Sequence, residues 1–214
     1  MAACVLALLL TTVVALPGCQ ILAIIIRLFV PDTKTYYKEY DLSNKTIVVI
    51  PFKDQQNNYF DSQTGIDLAN AVVGEFLQWR KETKMKDVKD AGQVRLLFPN
   101  RDLASVGWAN VGRQVGAQLV LVGDIQRFTL RDPGTIGLVR GTCRLNFTII
   151  DVDKGGPAFA KQLAVYCPDR GAGIAESSVD MEEFRQQLLA QAAHSVVKTF
   201  YTYEEKIQAP PTRY

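Results

Sequence analysis

The side chains able to do chemistry in this sequence are few and scattered. His194 is the one histidine, and it stands two residues from both Ala192 and Val196, which on a helix sets it roughly opposite an apolar stripe. An imidazole works as a general base only with a carboxylate or nucleophile beside it. No Cys or Asp lies close in sequence on the same helical face, so His194 reads as a solvated surface residue. Zinc sites built from several histidines are disfavoured for the same reason. Asp151 and Asp153 form an Asp-x-Asp at a strand end, a spacing that suits a hard cation or a turn. Beside Gly155-Gly156 the turn is the expectation. The stretch Gly134-Thr135-Ile136-Gly137-Leu138-Val139-Arg140-Gly141 is glycine-rich, but it lacks the Lys-Ser/Thr of a phosphate loop and sits between strands. No serine has the strand-to-helix elbow of hydrolases. No catalytic residue, cofactor-binding residue, metal ligand or cofactor is therefore assigned.

Tyr36, Tyr37 and Tyr40, with Lys34 and Lys38 interleaved, have the make-up of a stacking surface for bases or sugars, yet amphipathic side chains of this kind more commonly pack against a fold or lie at a membrane surface. With 24 Lys+Arg against 22 Asp+Glu the formal net charge is +2, and no block of five like charges occurs. That leaves no footprint for nucleic acid. A chain of 214 residues that is 48% hydrophobic is long and apolar enough to bury one core without metals or staples.

The N-terminus carries an address. The first charge is Arg27, and 2–26 are apolar or small apart from Thr11, Thr12 and Gln20. Inside this run Leu6-Ala7-Leu8-Leu9-Leu10 is followed by Leu16-Pro17-Gly18-Cys19. The latter resembles the lipobox of bacterial lipoprotein signal peptides, in which a small residue precedes a cysteine that is acylated and becomes the new N-terminus. The resemblance implies a signal peptide over 1–18, lipidation at Cys19 and a tether over 19–45, with two or more acyl chains holding the protein on the membrane. Pro17, the absence of an early Lys or Arg, and the apolar run Ile21 to Ile26 depart from the pattern. They leave open an uncleaved transmembrane helix, which needs roughly 20 apolar residues and would place Arg27, Lys34 and Lys38 in the cytoplasm.

The elements beyond the tether predict one α/β domain over 46–203, then a flexible tail over 204–214. Thr46-Ile47-Val48-Val49-Ile50-Pro51-Phe52 is a continuous apolar run of the kind buried on both faces of a parallel sheet. A helix follows, with Asp61, Ser62 and Thr64 as caps and Ile66, Ala69, Val73, Phe76 and Leu77 at helical spacing. The segment 81–90 reads as a solvated loop, Gln93 to Phe98 as a second strand, and 102–116 as a helix capped by Asp102 and stopped by Gly116. Gln118 to Leu130 is one long strand. Alternating strands at Arg140 to Val152 and Ala158 to Cys167 flank the turn cluster 153–157 and predict a hairpin. A last helix spans about Asp180 to Tyr203. The fold class is thus a mixed sheet, parallel β-α-β-α-β followed by an antiparallel hairpin, flanked by helices, with Val48, Ile50, Leu121, Phe147 and Leu163 in its core.

Three local sequences in this order carry a family resemblance: Val48-Val49-Ile50-Pro51-Phe52, then Gly116-Ala117-Gln118-Leu119-Val120-Leu121-Val122-Gly123, then Ile150-Asp151-Val152-Asp153-Lys154-Gly155. The chain over 46–167 resembles the envelope domain shared by the curli-secretion lipoprotein, the lipoprotein activators of penicillin-binding proteins and the N-terminal domain of the Tol-system periplasmic protein. The resemblance implies a non-enzymatic, lipid-anchored lipoprotein whose periplasmic domain scaffolds or regulates another envelope protein. Gln20 after the cysteine implies the outer membrane. Two alternatives stand beside it: an oligomeric part of an outer-membrane secretion or assembly apparatus, and a small hydrolase. A pore is not expected, because 131–139 is too short to supply two membrane-crossing strands at ~9–11 residues each.

Cys143 and Cys167 remain once Cys4 is assigned to the leader and Cys19 to lipid. Each is twelve residues from Gly155. A three-residue loop centred there sets Cys143 against Cys167, Leu145 against Val165 and Phe147 against Leu163, and an oxidising periplasm would then close a disulfide. Two buried free thiols are the alternative, since other loop lengths shift the pairing.

Overall fold

A computed structural model describes residues 33–55, 63–98, 103–131, 136–169, 171 and 173–206. The expected lipobox, the caps Asp61, Ser62 and Asp102, and Gly134 lie outside them. The first half forms β1 (Thr33–Tyr36), β2 (Thr46–Val49), β3 (Lys53–Asp54), α1 (Gln63–Gln78), α2 (Arg80–Thr83), β4 (Asp87–Lys89), α3 (Ala91–Leu97), α4 (Leu103–Val106) and α5 (Trp108–Val115). The second forms β5 (Leu119–Thr129), β6 (Leu138–Val139), β7 (Gly141–Asp151), β8 (Gly156–Cys167), β9 (Ile174–Ala175), α6 (Met181–Lys198) and β10 (Tyr203–Lys206).

The chain divides into two compact units. In one, β1 pairs antiparallel with β10 from Thr33 opposite Lys206 to Tyr36 opposite Tyr203. The segment expected as a tether thus carries a strand, and the segment expected as a tail supplies its partner. Tyr36 stacks on Tyr203 at 5.0 Å, and the Lys34 ammonium sits 4.7 Å from the centre of the Tyr36 ring.

The other unit, 37–202, is built on a six-stranded mixed sheet in the order β4-β2-β5-β7-β8, with β3 also against β5. The β4-β2-β5 pairs are parallel, and β5-β7-β8 are antiparallel. All four residues of β2 are buried, as its β-branched run requires of a central strand. Val48, Ile50, Val120, Ile150 and Val152 pack against Val94 of α3 and Val111 and Val115 of α5. Alternation sends Ile47, Val49, Leu119 and Leu121 to the opposite face, where α1 and α6 lie and the Phe200 ring centre stands 5.7 Å from that of Phe76 and 5.9 Å from that of Phe147. One sheet with a helical layer on each face is the observed fold class. Four of the five expected core residues are buried; Leu163 is only partly so.

Several assignments in the first half change. The run Gln93 to Phe98 is helix, not strand: Asp90 caps α3 by accepting from the Gln93 N–H at 2.9 Å, and Val94 and Phe98, four apart, both reach the core. A short apolar run has no decisive period of its own. The second strand is instead β4, inside the segment expected as a loop, where Met85 is buried and Val88 pairs with Ile47. In α1 the buried stripe is Leu68, Ala69, Val72 and Phe76, and Leu77 faces solvent. The helix expected over 102–116 breaks in two at Gly107, whose φ of +84° no ordinary helix tolerates.

The hairpin register also changes. The turn has four residues, 152–155, and Ala158 is bulged out between the Ile149–Phe159 and Ile150–Pro157 pairs. Every partner beyond the bulge moves by two positions from the expected register. Cys143 therefore faces Val165, Cys167 faces Gly141, and both thiols are free and buried. Diagonal neighbours on one strand face are ~7–8 Å apart, beyond the ~3.5–4.5 Å between Cβ atoms that a disulfide needs.

These contacts set two expectations. Replacing Leu121 by Ala removes a fully buried side chain from the central strand and should cost about 2–5 kcal/mol in urea unfolding. Adding a methyl at Gly112 should destabilise by about 1–3 kcal/mol, because its Cβ would sit 2.4 Å from Val152 and 2.7 Å from Val120. The register makes a third: alkylation of the denatured, unreduced protein should label both Cys143 and Cys167, whereas in the folded protein Cys143 stays unlabelled, its thiol pushed by burial up to about 12. Absence of label at both after denaturation would restore the disulfide.

Candidate functional site

Two places in the 37–202 unit gather polar and aromatic side chains. One is the seam between α1 and α6. Arg185 pairs with Asp67 at 2.6 Å, and Gln63 also donates to Asp67. Further along, Glu75 Oε2 accepts from the Trp79 indole N–H at 3.1 Å and lies 3.0 Å from His194 Nδ1. Trp79 in turn stacks flat on Tyr201 at 4.9 Å. His194 is 40% exposed, so it is neither buried nor merely solvated. Its carboxylate partner comes from 119 positions away, which no local pattern could disclose. The pair has the geometry of an oriented imidazole, but among the described residues the contacts of His194 and Glu75 place no hydroxyl or thiol nucleophile beside it. What the arrangement does is lock α6 to α1.

The other is an open groove of about 420 Å³ where the start of α5 meets the β7–β8 turn. Gly107 redirects the chain so that Trp108 begins α5, with its ring partly buried against the core. Asn110 donates to the Val106 carbonyl at 2.9 Å and accepts from Arg113 at 2.6 Å, which fixes the guanidinium over the helix. Ile150, the Gly155-Gly156 backbone and Pro157 form the facing wall. Trp108 and Arg113 were not singled out by the sequence, where a tryptophan after a glycine has no distinguishing spacing.

The turn wall explains the Asp-x-Asp. Asp151 Oδ1 accepts the N–H groups of Asp153 and Lys154 at 3.0 and 3.1 Å, and the Lys154 hydrogen bond is the main influence holding its carboxyl below the usual range. Gly155 closes the turn at φ +71°. The carboxylate is thus committed to the backbone, as the turn reading requires. Of the tyrosines, Tyr36 belongs to the β1–β10 unit, Tyr37 is exposed, and Tyr40 packs on Phe159 at 5.6 Å. Burial, then the carboxylates of Asp151 and Asp41, raise the Tyr40 phenol. Cys143 and Cys167 lie on the α6 face of the hairpin, away from the groove wall. Cys19 falls outside the described residues.

No protein-family model matches the chain, and no characterised protein matches it in sequence. Solved structures similar to it include a PelC L103M dodecamer from Paraburkholderia phytofirmans, 13% identical over 76% of this chain and 94% of that one, with a TM-score of 0.44. Another is lipoprotein GNA1162 from Neisseria meningitidis, 13% identical over 72% of this chain and 98% of that one, TM-score 0.46. A third is the LpoB C-terminal domain from Salmonella enterica, 15% identical over 60% and 87%, TM-score 0.35. This is similarity of chain path, not of activity.

Proposed function

We infer that the chain is a lipid-anchored envelope lipoprotein, acylated at Cys19, whose α/β body binds and regulates another envelope protein rather than catalysing a reaction. The observation that carries this reading is the groove at the start of α5. It joins an aromatic ring, Trp108, and an orientated guanidinium, Arg113, to the apolar wall of Ile150 and Pro157. Tryptophan and arginine beside apolar surface are the side chains that dominate protein–protein interfaces. The Leu16-Pro17-Gly18-Cys19 sequence supplies the anchor, and it supports an outer-membrane address through Gln20 with the body in the periplasm.

Two substitutions test the two halves of the reading. Cys19→Ser should abolish fatty-acid labelling and release the protein from washed membranes. An unprocessed protein that stays in carbonate-washed membranes would replace the lipid anchor with a transmembrane helix. Trp108→Ala, in protein whose circular dichroism spectrum matches that of the wild type, should reduce at least tenfold the yield of one reproducible crosslinked partner from intact envelopes. An unchanged crosslink pattern would remove the groove from the interface.

A further inference from the structure

The sheet ends on two very different edges. At one, β4 is three residues long and two of them, Asp87 and Lys89, are charged, which is how natural sheets blunt an edge against strand addition. At the other, β8 runs for twelve residues and is paired with β7 along one side only. Among the described residues no backbone hydrogen bond is made along its outer side. Its guards are slight. Pro157 and the bulge at Ala158 blunt only the start, and from Phe159 to Cys167 the ladder is regular. Lys161 is the single charge on the strand, and its ammonium is turned to the α6 face and held by Glu39 and Thr199. The solvent face shows Ala160, Gln162 and Ala164, all exposed and uncharged.

We propose that the outer edge of β8 pairs antiparallel with β8 of a second copy of this chain, across a two-fold axis at Leu163. An exposed row of N–H and C=O groups is satisfied best by another strand, and a two-fold pairing uses the same patch on both copies and closes on itself. Full overlap of the regular segment 159–167 puts its centre, Leu163, on the axis. Leu163 then meets its own copy and completes the burial that one copy leaves partial. On the same face Lys161 falls opposite Val165 rather than opposite another lysine, so no like charges meet. On the solvent face Gln162 lies against Ala164 and Ala160 against Tyr166, with small side chains at each crossing. The strand is self-complementary in this register. The resulting sheet is continuous through both copies, and the open edge is consumed, which limits assembly through it to two.

The full-length protein purified from membranes in detergent tests this by sedimentation. The wild type should sediment as a dimer, and Gln162→Lys combined with Ala164→Lys, which opposes like charges in two crossings, should sediment as a monomer with an unchanged circular dichroism melt. A second measurement fixes the register: Gln162→Cys protein mixed with Ala164→Cys protein should form an interchain disulfide that neither forms alone. A wild-type monomer, a dimer indifferent to the two lysines, or crosslinking of Gln162→Cys only to a different protein would each overturn the proposal, the last by assigning the edge to a foreign strand.

Discussion

The 37–202 unit depends on a single strand that must satisfy two kinds of neighbour at once. β5 pairs parallel with β2 through Leu119, Val120 and Leu121, and antiparallel with β7 from Leu119 opposite Asp151 to Thr129 opposite Thr142. Parallel pairing needs helical crossovers and therefore both sheet faces covered; antiparallel pairing tolerates one open face. β5 meets both demands by changing character along its length. Leu119, Val120 and Leu121 are buried, whereas the strand beyond is mostly half-exposed. Where the change occurs, Gly123 leaves room for the Phe52 ring, which a Cβ would approach to 2.3 Å. The glycine is there because an aromatic side chain from the first crossover fills the space.

Close packing carries the constraint outward. α5 lies on Val120 and Val152 so tightly that Gly112 has no room for a methyl group, and this approach sets where Gly107 and Trp108 emerge. The groove thus inherits its position from the core: its helical wall is fixed by Gly112 against β5, and its other wall by the Asp151-held turn of β7–β8. On the opposite face α6 closes over β7 and β8, with Phe184 and Leu188 against Gly141. The Arg185–Asp67 and His194–Glu75 pairs tie that helix to α1. Chemistry-bearing side chains are in this way spent on joining elements.

Much of this was legible in the chain. β2, β5, the hairpin and α6 announce themselves because long runs with a clean period, or continuous β-branched burial, admit one reading. Failure fell where runs were short. Val94 to Phe98 is equally good as strand or helix until Asp90 is recognised as its cap, and Asp87-Val88-Lys89 is too brief and too polar to read as a strand although Ile47 needs a partner there. The hairpin register failed for a subtler reason: the turn sits at 152–155 rather than centred on Gly155, which moves the pairing by three positions, and the bulge at Ala158 takes back only one of them. Glu75 beside His194 and the Trp108–Arg113 groove were invisible because they are assembled across elements, and no residue type in either is unusual alone. The reverse holds at the N-terminus, where the sequence alone carries the reading of Cys19.

If β5 unites the parallel and antiparallel halves, the sheet opens as one body, because neither half retains a two-sided partner once β5 is lost. Native-state hydrogen exchange measures this directly. The amides of Val48, Leu121 and Leu145, on β2, β5 and β7, should share one opening free energy equal to that of global unfolding and respond identically to added denaturant. A β7 amide that opened at distinctly lower free energy than those of β2 and β5 would show two separable cores and contradict the account.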